Sequence, residues 1–164
     1  MNIFALDICP VKSAELQHDK HVVKMILESA QMLCTAYHEH NIENVPYKKT
    51  HHNHPCSVWV RKDMYNFYWL VDHALALCQE YTYRYKKIHK SKAVIDWCQD
   101  NSDKLKNFIP MTCITPFAQA MPDEYKNKNS IVLAYRNYYI STKLNNNPKW
   151  TNRQTPNIFK THIN

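Results

Sequence analysis

Apolar residues in this 164-residue chain recur mainly at intervals of three and four, the spacing that lines one face of an α-helix. Val23, Ile26, Ala30, Leu33 and Tyr37 form one such stripe, in a helix that Asp19 can cap and that runs to about residue 40. Val60, Met64, Phe67, Val71, Ala74, Cys78 and Tyr81 form another, which predicts the longest helix, from Pro55 to about residue 85. Shorter helices are expected over residues 10–17, from 91 to about 106, and from a Ser130 cap to 144. Residues 41–53 are polar and read as a loop, as do 108–123 with Pro110, Pro116 and Pro122. Residues 1–8 read as a short strand or an extended arm. No repeat or linker divides the sequence. The expected fold is therefore all-α: one compact helical domain over residues 1–164, with long central helices and an irregular basic, aromatic tail, coil-like over 145–164.

Composition narrows the chemistry. The chain has no glycine, so GxGxxG, GxxxxGK[ST] and GxSxG cannot occur, which excludes the usual dinucleotide, P-loop and α/β-hydrolase sites. Six cysteines, dispersed and without a CxxC pair, read as free thiols in a reducing compartment. No apolar run approaches a membrane span, and the first residues lack the pattern of a secretory signal. A cytoplasmic monomer is expected, nuclear if the host is a eukaryote. The formal charge of +7 favours a polyanionic partner, nucleic acid above all.

Three groups of residues carry candidate chemistry. On the helix from Asp19, His21, Lys24 and Glu28 share the side opposite the apolar stripe. Such a trio is ordinarily a solvated face with a weak Lys24–Glu28 pair, but Met25 and Met32 flank it and suggest that it is covered. A covered carboxylate can be tuned as a general acid or base. His18, His21, His51 and His54 supply enough imidazoles for a metal site, although His54 could instead buttress the helix that follows, and the second ExxH of a di-metal bundle is missing. Finally, aromatic and basic residues interleave around Arg84, around Arg136 and in Lys149-Trp150-Thr151-Asn152-Arg153, as in surfaces that neutralise phosphates and stack on exposed bases.

His21-Val-Val-Lys-Met-Ile-Leu-Glu28 has a histidine seven residues before a glutamate, and Asn53-His54-Pro55 opens a long aromatic-rich helix, His54-Pro-Cys-Ser-Val-Trp-Val-Arg61, that continues through Cys78. In these motifs and in the order of elements the chain resembles the pyrimidine-dimer DNA glycosylases of the phage endonuclease V type. The resemblance implies DNA as the partner, no required cofactor, Glu28 as the catalytic carboxylate and an amine as nucleophile. In the phage enzyme that amine is an N-terminal threonine's. Here Asn2 follows Met1, and a large second residue generally keeps the methionine, so either the amine is that of Met1 or, one turn from Glu28, Lys24, or the lyase chemistry is absent. His21, His54, Arg61, Arg84, Lys149, Trp150 and Arg153 are the expected DNA contacts. Two readings compete: a metal-dependent hydrolase or nuclease built on His18, His21, His51 and His54, and a nucleic-acid-binding protein without catalysis.

Overall fold

A computed structural model describes residues 1–145 and 147–163, and every regular element among these is helical. The α-helices are α1 (Pro10–Leu16), α2 (Asp19–Glu39), α3 (Pro55–Val60), α4 (Met64–Tyr85), α5 (Lys92–Asp100) and α6 (Ile131–Lys143). Short 3-10 turns cover Ser102–Leu105, Asp123–Tyr125 and Asn157–His162. The all-α class expected from the periodicity is the class observed. Helices α1 and α2 pack on α4, α5 closes against both α2 and α4, and α3 lies beside α2. Ile26, Ala30, Leu33 and Tyr37 of the expected α2 stripe are buried against Phe67, Leu70, Ala74 and the rest of one apolar cluster.

Where the elements depart from the sequence pattern, a polar side chain is responsible. The long helix expected from Pro55 breaks at Arg61–Asp63 because Asp63, buried, caps α4 by accepting from the Tyr65 N–H at 2.9 Å. Its other oxygen accepts from the Thr112 N–H and Oγ1–H at 3.0 and 2.6 Å, which pins the proline-rich loop to the break. At the start of α2 the cap position belongs to His18, and Asp19 turns away to Arg84 and Thr151. Val23 faces solvent at 39% exposure, while Met25, Glu28 and Met32 are buried. The face opposite the stripe is thus covered. What covers it is the N-terminal arm, an irregular segment with no strand.

Left-handed backbone, which glycine would normally supply, falls to asparagine at Asn41, Asn44, Asn147 and Asn152 and to Lys86, which ends α4 with its N–H on Thr82 O. Apart from the 3-10 turn at Asn157–His162, the described residues after α6 are irregular, yet they are not peripheral: Trp150 and Phe159 stack on each other inside the core.

Candidate active site

The arm enters the protein with its apolar side chains first. Ile3, Phe4, Ala5 and Leu6 are buried, and the Met1 side chain is only 2% exposed, its sulfur accepting from Ser57 Oγ at 3.4 Å. The methionine side chain therefore points inward and leaves the α-amine at the edge of the site. That amine lies 3.5 Å from Glu28 Oε2, the same oxygen that accepts the Asn2 N–H at 2.9 Å. Lys24, on the preceding turn of α2, reaches the other carboxylate oxygen at 3.4 Å; its side chain is 67% exposed, whereas Glu28 is 8% exposed. Glu28 and both candidate amines thus converge.

Asn2 organises this approach. Its Oδ1 accepts from the Ile3 and Phe4 N–H groups at 2.8 and 3.0 Å, and its Nδ2 donates to Ala120 O at 2.7 Å. The segment around Ala120 is held in turn by the Tyr135 hydroxyl of α6, which donates to Ala118 O. The turn puts Phe4 at φ 39°, a left-handed conformation that a bulky residue adopts only where its surroundings impose it. Here the surroundings are the Asn2 bonds, Ser13 Oγ on Phe4 O at 3.0 Å, and the His21 ring stacked on Phe4 at 4.5 Å. In the sequence Asn2 signalled only retention of Met1. Its capacity for local side-chain to backbone bonds was the cue to its second role.

His54 stands close by as the cap of α3, with Nδ1 accepting the Cys56 N–H at 3.2 Å. Burial lowers its pKa, as do the positive Met1 amine and His51, with Glu28 opposing. His21 and His18 stack face to face at 4.3 Å behind the arm. Burial brings His18 down to about 4, and burial followed by neighbouring His18 brings His21 to about 3. Both rings are therefore neutral near pH 7, so His21 cannot hold a phosphate as a cation.

Other expected DNA contacts are committed internally. Arg84 is fully buried and bonded to Glu80, Asp19 and the carbonyls of Gln17 and Glu15. Arg153 clasps Glu80 through Nε at 2.6 Å and lies over the Tyr83 ring. Trp150, 5% exposed, donates from Nε1 to Leu16 O at 3.1 Å and cannot serve as a wedge from that position. Arg61 ends α3 with Nη1 buried and unpartnered among the described residues. Of the expected tail contacts Lys149 and Arg153 are exposed, and Arg153 is the one already paired with a carboxylate.

The imidazoles proposed as metal ligands do not converge. His54 is engaged as a cap, His51 Nδ1 bonds Thr50 Oγ1 at 2.7 Å, and the stacked rings of His18 and His21 share faces and not lone pairs. Among the described residues no group of three or more His, Cys, Asp or Glu side chains could hold a metal ion. The donor set does not fit the metal hydrolase reading.

The neutral histidines make stability acid-sensitive. His73, buried with Nδ1 on Pro10 O at 3.0 Å and Nε2 near Gln17 Nε2 at 3.1 Å, is likewise brought down to about 4 by burial. A histidine whose folded pKa lies below its unfolded value of about 6.5 takes up its proton more readily when unfolded. Its contribution is complete above pH 6.5 and is lost as pH falls toward 4. By pH 5 each of the three is expected to cost on the order of 1–2 kcal/mol. Urea midpoints at pH 7.5, 6 and 5 should fall steadily, and a flat series would contradict the burial of these rings.

A family model described as pyrimidine dimer DNA glycosylase matches residues 1–93, which include the arm, α2, His54 and α4. No curated protein and no solved structure matches the chain.

Proposed function

Because the chain belongs to the pyrimidine dimer DNA glycosylase family, we propose that it removes a dimerised pyrimidine from DNA using the Met1 α-amine and Glu28, and then cleaves the strand as a lyase. One observation carries this reading: the Met1 amine and the Asn2 N–H meet on a single oxygen of a buried carboxylate. Inward packing of the Met1 side chain supports it, since the bulk that would shield the amine is out of the way.

Glu28 Oε2 takes a proton from the amine, whose lone pair then adds to C1′ of the lesion nucleotide as the C1′–N1 bond breaks. The electron pair leaves with the pyrimidine, which takes up a proton, and the carboxylate stabilises positive charge developing at C1′ and O4′. The proton that Glu28 took from the amine passes to O4′ as the C1′–O4′ bond opens, which gives an iminium between C1′ and the Met1 nitrogen and returns Glu28 to its carboxylate. Transfer of a C2′ proton to Glu28 expels the 3′ phosphate by β-elimination, and water hydrolyses the iminium to free the amine. Nothing in this sequence requires a metal.

Borohydride tests it by reducing the iminium to a stable secondary amine. With ultraviolet-irradiated duplex in chelator, a protein–DNA adduct is expected, and after trypsin it should map to the peptide of residues 1–12. An adduct on Lys24 would transfer the nucleophile's role to that residue, and no adduct with intact strand cleavage would refute amine catalysis.

A further inference from the structure

The donors that meet at Glu28 and Met1 are already engaged. The Asn2 N–H donates to Glu28 Oε2 at 2.9 Å, Lys24 faces Oε1 at 3.4 Å, and the Ser57 hydroxyl donates to Met1 Sδ at 3.4 Å. His54, beside them, has a donor left over. It stands three residues before Ser57 at the cap of α3, so it shares the side of that first turn that lies along Met1. Its Nδ1 accepts the Cys56 N–H at 3.2 Å, and a backbone N–H can only donate, so the neutral ring carries its proton on Nε2. Nε2 has no hydrogen-bond partner among the described residues, and the side chain is half-buried. Burial, the Met1 ammonium and His51 hold the ring neutral near pH 7 against the pull of Glu28.

We propose that the His54 Nε2–H donates a hydrogen bond to O2 of the departing pyrimidine and so stabilises the charge that the base acquires as its bond to C1′ breaks. The inference rests on the proposed function for the reaction at Met1 and Glu28. In that reaction the electron pair of the C1′–N1 bond passes to N1. Dimerisation has saturated C5 and C6 of the ring, so the charge cannot spread through them and rests on the N1–C2–O2 unit. A donor fixed in place at O2 is worth most at that moment, because it needs no reorganisation as the charge develops. The imidazole keeps its proton throughout. N1 takes one from water, and the hydroxide so formed is neutralised by the proton that hydrolysis of the iminium later releases. A neutral imidazole of fixed tautomer suits this role, since it offers an N–H without forming an ion pair with Glu28.

The test compares two substrates in single turnover: ultraviolet-irradiated duplex, and duplex with a preformed abasic site. At the abasic site the base is already gone, so amine addition, β-elimination and hydrolysis proceed with no leaving pyrimidine for His54 to assist. His54→Ser keeps an oxygen that can cap α3 and removes the imidazole N–H. The ratio of the irradiated rate to the abasic rate is expected to fall by about 10²-fold, the cost of one donor at a developing charge. Equal loss on both substrates would make His54 a cap that positions Met1, and no loss on either would remove it from the reaction; each overturns the proposal. A parent protein that does not cleave irradiated duplex refutes the proposed function, and this inference with it. Should His54→Ser not fold, Glu28→Gln protein supplies a second reading by ¹⁵N NMR. The His54 Nε2 resonance is expected to shift with a dimer-containing duplex and not with its abasic counterpart, and equal shifts, or none, overturn the proposal.

Discussion

Glu28→Gln is expected to lower cleavage of ultraviolet-irradiated duplex by about 10²- to 10⁴-fold, the usual contribution of a positioned acid–base group, while duplex affinity changes little. Glutamine keeps the shape of the side chain and can still accept the Asn2 N–H, so the arm has reason to stay in place. It can neither take the proton from the Met1 amine nor supply a negative charge beside C1′. The loss should appear in single-turnover rate and in the rate of borohydride trapping, with the salt slope of binding preserved. Full cleavage by the variant would remove Glu28 from the reaction. Binding without turnover by the parent protein would leave a nucleic-acid-binding protein and nothing more.

That Glu28 could be singled out from the sequence reflects how local its signal is. His21, Lys24 and Glu28 share a face by helical spacing alone, and Met25 and Met32 beside them reported that the face was covered. What covered it was not legible. The arm reaches Glu28 through one backbone N–H and is anchored by Ala120, 118 residues away, and such contacts leave no periodic trace. The aromatic and basic segments misled for a related reason. Arginine beside tyrosine is equally compatible with a phosphate surface and with a buried carboxylate, and only Glu80 and Asp19, brought close by folding, decide for the latter. Trp150 is held by Leu16 and Phe159, contacts that no helical spacing announces. The break before α4 had the same origin, since Asp63 caps that helix while also holding a loop some fifty residues on.

Arg84→Ala is expected to be among the most destabilising single changes in the protein, by about 3–5 kcal/mol, the cost of breaking a buried ion pair from one side. The guanidinium donates to Glu80 from Nε at 3.1 Å and from Nη2 at 2.9 Å, and to Gln17 O and Asp19 from Nη1 at 2.9 and 3.1 Å. Its removal leaves two carboxylates short of a partner and two carbonyls without a donor, all near the junction of α1, α2 and α4. Lysine should not rescue it, because a single ammonium cannot reproduce the fork that spans these acceptors. Arg153→Ala supplies the comparison: it also pairs with Glu80 but from a more exposed position, so a loss of about 1 kcal/mol is expected. In a domain of this size the Arg84 variant should melt about 6–20 °C lower. A melting point within about 3 °C of the parent would show that the cluster is dispensable. The consequence reaches the site, because the residues that Arg84 holds flank His18 and so fix where the first turn of α2 begins. Lys20, His21 and Lys24 are carried on that turn and the next. At temperatures where the variant remains folded, loosening of this junction should weaken duplex binding before it slows trapping at saturating DNA, since Glu28 and the arm are anchored separately through Asn2 and Ala120.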